Sequence, residues 1–176
     1  MKKSLMLCLF ILCLPFSAVC EELTPEQSVH EVKARLDKLS PITWPATPEK
    51  YHLVVFIDNQ CSYCTDVVKK VEQYTHAGLT MSFLTVAPRS IRQQVIGDMA
   101  RVWCSVSPRE SLRKAMTGFL PDNDATPDCV SRVNAQAALA ERVGIQVSPV
   151  MVVMQDKPVV FMGNVSPSEI IKTLEH

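Results

Sequence analysis

The stretch Leu53-Val54-Val55-Phe56-Ile57-Asp58-Asn59-Gln60-Cys61-Ser62-Tyr63-Cys64 carries the deciding pattern of this chain. Its first five residues are all apolar and rich in β-branched side chains, which reads as a strand buried on both faces. Two thiols, spaced C-x-x-C, follow at once, and a helix-like sequence follows them. Cys61 therefore falls where a strand gives way to a helix N-terminus. Unpaired N–H groups and the positive end of the helix dipole gather there, and both favour thiolate over thiol. A thiolate with a second thiol one turn away can attack a disulfide, form a mixed disulfide and be released by its neighbour. The rival chemistry is half of a zinc site. No second C-x-x-C and no paired histidines exist to complete four ligands, so neither metal nor cofactor is expected.

Outward from this stretch, Cys61 to about His76 is expected to be helical. Val67, Val68, Val71 and Tyr74 share one face, and Gly78 closes it. Tyr51 to Asp58 and Leu79 to Val86 are strands, the second ending at Pro88. Strand, helix and strand in about 35 residues make a right-handed βαβ unit. Ser90 to Thr117 and Cys129 to Gly144 read as helical, separated by the turn-rich Pro121-Asp122-Asn123-Asp124. Val150 to Met154 and Val159 to Met162 read as a hairpin across Gln155-Asp156-Lys157-Pro158. Ser166, Pro167 and Glu169 open a last helix with a capping box. The order is βαβ, a helical block, then ββα. That is an α/β, thioredoxin-like order with helices inserted in its middle.

Upstream, Lys2 and Lys3 precede an apolar run from Leu5 to Phe16 and then Ser17-Ala18-Val19-Cys20. A positive start, a short apolar core and small residues describe a secretory signal peptide, residues 1–20. The run is too short for a comfortable membrane span. Acylation of Cys20 as a lipoprotein is the alternative, disfavoured by Val19 and Ser17 in its recognition positions. Residues 21–50 are expected to form an N-terminal helix, Thr24 to Ser40, and a Pro-rich extended linker with Pro41, Pro45 and Pro48. Val29, Val32, Leu36 and Leu39 lie at three-four-three spacing. That seam serves either packing on its own domain or self-association. The main domain is expected to span residues 51–176.

Of seven cysteines, Cys8, Cys13 and Cys20 leave with the signal peptide. Cys61, Cys64, Cys104 and Cys129 remain, an even set in a chain bound for an oxidising compartment. With Cys61 and Cys64 as the redox pair, Cys104 and Cys129 are left to form a structural bridge. A loop of about 25 residues closed in this way contributes about 3.5 kcal/mol on the chain-entropy model. Loss of Lys2 and Lys3 turns a balance of 18 basic and 18 acidic residues slightly acidic. With no basic run, nucleic acid and anionic membrane surfaces are not expected partners.

From Tyr51 to the C-terminus the chain resembles the catalytic domain of the periplasmic disulfide isomerases, the DsbC/DsbG group. Phe56-Ile57-Asp58-Asn59-Gln60-Cys61-Ser62-Tyr63-Cys64 is similar to that group's F-x-D-x-x-C-x-Y-C. Pro88-Arg89, Trp103-Cys104 and Cys129 ahead of Ala137-Ala138-Leu139-Ala140 fall in the expected order, as does Val143-Gly144-Ile145-Gln146-Val147-Ser148-Pro149. The resemblance implies that Cys61 attacks, Cys64 resolves, Pro149 is a cis-proline against the pair, and Cys104–Cys129 is the second, structural bridge. Polar groups of Ser148 would pair with an extended client, and Tyr63 would touch it. The implied partners are unfolded or misoxidised secreted proteins and a membrane thiol–disulfide redox partner, in the periplasm.

Three departures bear on activity. Val147-Ser148 stands where the group prefers Gly-Thr, and Ser62 where glycine or proline is common. No histidine lies between the cysteines of the kind found in the strongest oxidants, so a less oxidising disulfide is expected. About 30 residues stand where those isomerases carry a separate dimerisation domain. The expected function is thus a thiol:disulfide oxidoreductase of the isomerase or reductase type. A dithiol oxidase is one alternative, and a chaperone or thiol metal-binding module with little turnover is another.

Other residues have plainer readings. Asp58 is expected to cap the turn after its strand, with a proton relay to Cys64 as the alternative. Tyr63 is either a partly buried helix aromatic or a residue that tunes the pair. Met81, Met99, Met116, Met151, Met154 and Met162 read as core filling rather than copper ligands. His30, His52 and His76 have no ligand spacing, and Trp103 is expected to pack over the bridge.

Overall fold

A computed structural model describes residues 22–176. The expected signal peptide, including Cys20, lies outside the described residues. The first helix, α1 (Pro25–Arg35), opens with a full capping box: Thr24 Oγ1 accepts from Gln27 N–H while Gln27 Oε1 accepts from Thr24 N–H. A 3₁₀ turn, Asp37–Leu39, follows and ends at Ser40 in the left-handed region. The helix expected to reach Ser40 therefore tightens after Arg35.

The sheet contains β1 (Ile42–Trp44), β2 (Tyr51–Ile57), β3 (Leu79–Thr85), β4 (Val150–Val153) and β5 (Val160–Met162), in the order β1-β3-β2-β4-β5. β2 and β3 are parallel; all other pairs are antiparallel. The segment expected as a linker thus supplies an edge strand. Its Trp44 ring meets Phe83 edge-on at 5.3 Å, and Ala46 N–H donates to Thr80 Oγ1. Prolines at positions 41, 45 and 48 flank β1 without interrupting its three residues, as an edge strand permits.

Alternation along the central strands divides the core in two. Leu53, Val55 and Ile57 of β2 face one layer with Met81, Phe83 and Met151. That layer is covered by α2 (Ser62–Lys69), α3 (Val71–His76), α4 (Arg92–Trp103), α5 (Pro108–Ala115) and Ile170 of α7 (Pro167–Leu174). Val54 and Phe56 face the other layer with Leu84, Val86, Val150 and Val152, beneath α1 and part of α6 (Pro127–Arg142). The near-continuous apolar character of β2 is explained by this two-sided burial.

The seam of α1 is spent inside this second layer. Val29, Val32, Leu36 and Leu39 are 4, 1, 8 and 6% exposed and pack on their own sheet. Those four side chains are not free for self-association. The buried Gln136 locks the same segment down, with Nε2 donating to Leu39 C=O at 2.9 Å and Oε1 accepting from Thr85 N–H at 3.0 Å.

Two expected helices are divided. Cys61–His76 breaks at Lys70, whose backbone leaves the helical region (φ −100°, ψ 14°). Ser90–Thr117 becomes a 3₁₀ turn, α4 and α5, parted at Cys104–Ser107. Pro108 at the start of α5 and the Cys104–Cys129 bridge (Cα–Cα 5.8 Å) account for that break, since Cys104 is held against the first turn of α6. Trp103 lies in the same apolar layer as Cys129, with its indole N–H donating to Ser40 C=O.

Candidate active site

The site is built where the C-terminal end of β2 meets α2. Cys61 is itself the N-cap of α2, in extended conformation, and its Sγ accepts from Cys64 N–H at 3.2 Å. The sulfur thus takes the place of the usual oxygen cap and sits at the positive end of the helix. Cys61 is partly exposed, whereas Cys64 is fully buried, and both are free thiols. Burial pushes the Cys64 thiol well above its ordinary range, and its hydrogen bond with Cys61 adds to the effect. The Ser148 hydroxyl and the Asp58 backbone offset only part of this. One thiol is offered to solvent and the other is held protonated beneath it.

A second segment closes over the pair. α6 ends in a Schellman arrangement: Gly144 takes φ +76°, its N–H donates to Glu141 C=O, and Ile145 N–H donates to Ala140 C=O at 2.8 Å. Any residue with a Cβ is strained at that φ, so Gly144 is what turns the chain back toward β2. The turn delivers Val147-Ser148-Pro149, with a cis bond between Ser148 and Pro149. Pro149 is buried, and its carbonyl accepts from Gly163 N–H beside β5. The Cys61 thiol donates to Ser148 C=O at 3.4 Å.

Asp58 ties the two halves together. Its Oδ1 accepts from Gln60 N–H at 2.8 Å, which is the turn-capping role expected from the sequence. Its Oδ2 accepts from Ser148 Oγ at 2.6 Å, a contact that no local pattern announces. The carboxylate is 3% exposed and lies with both sulfurs in one cluster, all three donor atoms within 4.8 Å of one another. Asn59 continues the network outward, with Nδ2 donating to Asp98 Oδ2 of α4 at 2.9 Å.

The structure therefore brings Cys61, Cys64, Ser148 and Pro149 together, and adds Asp58 at their centre. Both oxygens of Ser148 are engaged within the molecule, the carbonyl by Cys61 Sγ and the hydroxyl by Asp58. Tyr63 is 60% exposed and does not behave as a core aromatic. Beside the cis-proline, Val147 is 57% exposed. Met81, Met99, Met116 and Met151 are buried core residues, as read from the sequence, while Met162 is 71% exposed on β5. The disulfide Cys104–Cys129 is formed away from the thiol pair.

Residues 42–176 match the thioredoxin-like domain family. The chain is 28% identical over 148 residues to the thiol:disulfide interchange protein DsbC of Dickeya dadantii, covering 83% of this chain and 60% of that protein. It is 26% identical over 148 residues to the protein of the same name from Haemophilus influenzae, covering 81% and 62%. The chain thus spans about three-fifths of the length of these relatives. Among solved structures it is similar to a disulfide interchange protein from Neisseria gonorrhoeae, with TM-score 0.63, 20% identity, and coverage of 78% of this chain and 96% of that one. It is also similar to the catalytic domain of Proteus mirabilis ScsC, with TM-score 0.60, 18% identity, and coverage of 84% and 96%.

Proposed function

The chain belongs to the thioredoxin-like domain family, and on that footing we propose that it is a thiol:disulfide oxidoreductase acting on protein disulfides, of the isomerase or reductase type. One observation carries the reading: a partly exposed Cys61 Sγ caps α2 directly above a buried Cys64 thiol. The Cys61 thiolate attacks one sulfur of a client disulfide, forming a mixed disulfide and releasing the other client sulfur as a thiolate. Cys64 then gives up its proton and attacks Cys61 Sγ. The client leaves reduced and the pair leaves oxidised by the same two electrons. In isomerisation a second client thiol attacks the mixed disulfide instead, and the pair returns to its dithiol form.

The exposed Val147 and Tyr63 side chains, beside Ser148 and the cis-proline, form the surface that receives an extended client segment. Only the second step uses Cys64, because its burial keeps it from any disulfide but one already on Cys61. The clients are unfolded or misoxidised secreted proteins. A membrane thiol–disulfide partner resets the pair, and the site of action is the periplasm after removal of residues 1–20. Among the described residues no helix is long and apolar enough to cross a membrane.

The test is a Cys64→Ala variant together with the equilibrium reduction potential of the pair in glutathione buffer. Cys64→Ala should accumulate mixed disulfides with clients through Cys61, and Cys61→Ala should not. A potential near or below about −200 mV supports the reductase or isomerase direction, and one near about −120 mV makes the protein an oxidase. Loss of both thiols with client protection intact would replace exchange by a binding role.

A further inference from the structure

Disulfide exchange needs two sulfurs, yet the site presents three convergent donors. Asp58, Cys61 and Cys64 each place one donor atom within 4.8 Å of the others. The Asp58 carboxylate is 3% exposed, and the groups that donate to it, Gln60 N–H and Ser148 Oγ, are neutral. The ion pairs among the described residues engage Glu31, Glu72, Glu110, Glu141, Asp156 and Glu175, and none engages Asp58. A buried carboxylate is ordinarily paired with a cation or coordinated to a metal. This one faces two thiols instead.

We propose that the reduced pair is also a reversible site for a thiophilic divalent cation of the zinc type, held by Cys61 Sγ, Cys64 Sγ and one Asp58 carboxylate oxygen. The donor set selects the metal class. Two thiolates exclude magnesium and calcium, which take oxygen ligands, and match zinc, which accepts sulfur and carboxylate together. Metal–sulfur bonds of about 2.3 Å and a metal–oxygen bond of about 2.0–2.2 Å require donors a little under about 4 Å apart. The observed cluster needs only a small inward movement to meet this. Gln60 N–H and Ser148 Oγ already orient the carboxylate, one on each oxygen, as outer-shell partners do. Three protein ligands leave the fourth position open on the exposed side of Cys61, for water or an incoming thiolate, so the site exchanges its ion rather than burying it. The expectation of no metal counted cysteines and histidines alone. Asp58, weighed there only for turn capping and proton relay, adds a carboxylate oxygen to the two sulfurs.

Binding replaces two S–H bonds by two S–metal bonds and releases two protons to solvent, with no electron transferred. The disulfide has no thiolate to offer, so only the dithiol binds. Metal then holds the pair reduced and blocks attack by Cys61. Each tenfold excess of free metal over its dissociation constant makes the potential about 30 mV less negative.

The inference rests on Cys61 and Cys64 being a redox pair, and the experiment separates the two readings. Protein isolated as the expressing cells process it is reduced with a phosphine, freed of reductant, and titrated with Co²⁺ and then Zn²⁺. Reduced protein should show a thiolate-to-cobalt charge-transfer band and tetrahedral ligand-field bands at one Co²⁺ per chain, abolished by one equivalent of Zn²⁺. Oxidised protein, Cys61→Ala and Cys64→Ala should show neither, and Asp58→Asn should weaken Zn²⁺ binding at least tenfold. X-ray absorption of the zinc complex needs no variant and should find two sulfur ligands with oxygen in the remaining positions. A missing charge-transfer band, undiminished affinity in a folded Asp58→Asn, or a four-sulfur shell shared by two chains overturns the proposal. Client exchange is measured in parallel with a chelator present. Exchange without metal binding removes this inference alone, and metal binding without exchange removes the exchange reading while leaving the site.

Discussion

Ser148 Oγ donates to Asp58 Oδ2 at 2.6 Å, joining residues 90 positions apart directly beside the thiol pair. The bond fixes the loop carrying the cis-proline to the turn carrying Cys61. Removing the hydroxyl leaves a buried carboxylate with one partner fewer. Ser148→Ala should therefore lose about 1.5–3 kcal/mol of stability, read from urea midpoints, because a bond to a charged group is lost. It should also slow mixed-disulfide formation by Cys61, while Ser148→Thr retains both properties. Unchanged stability and rate in Ser148→Ala would show that the loop is held by packing alone.

The unequal burial of the two thiols has a chemical readout. In folded, reduced protein at pH 7, iodoacetamide should label Cys61 at least about tenfold faster than Cys64, because Cys64 is buried and burial holds its thiol protonated. In urea the two should label alike. Peptide mass spectrometry after timed quenching measures this, and equal native rates would contradict the assigned roles.

His52 supplies a pH dependence on the acid side. Its Nε2 lies 2.8 Å from Ser82 Oγ, which in turn lies 2.8 Å from Thr43 Oγ1, so the imidazole joins β2, β3 and β1. Burial lowers its pKa below the ordinary 6.5, only partly opposed by Glu49 and Asp37. The unfolded chain then binds the proton more readily than the folded one. The contribution of His52 to stability is present above pH 6.5 and is lost as pH falls through the lowered folded value. Between pH 7.5 and pH 5 the wild type should lose more stability than His52→Gln, measured by urea unfolding at each pH. Parallel curves would assign the acid sensitivity elsewhere.

Gln136 is the one polar residue of α6 buried completely, and it bonds to both Leu39 C=O and Thr85 N–H. Gln136→Leu leaves those two backbone groups without partners, at about 1–3 kcal/mol for each buried group. The expected result is a global loss of stability, together with faster amide exchange in residues 25–39. A loss confined to α6 would mean that the N-terminal segment docks through its apolar contacts alone.

Features governed by neighbours along the chain are legible in residue order alone. Apolar β2 followed by C-x-x-C gives the strand-to-helix junction and the N-cap cysteine. Capping residues at Thr24 and Ser166 fix two helix starts, and Gly144 marks the end of α6 with φ +76°. Each depends on a local backbone requirement that residue type alone reveals. Tertiary structure decided what depends on contacts between distant segments. Ile42–Trp44 becomes a strand only because β3 offers an edge for it, and the α1 seam chooses its own sheet because Val54, Phe56 and Val152 present a matching apolar face. Nothing near Asp58 in sequence announces that its second oxygen meets Ser148. Those contacts exist because the sheet order places β4 beside β2, which brings the loop before Pro149 to the end of the strand that carries the thiols.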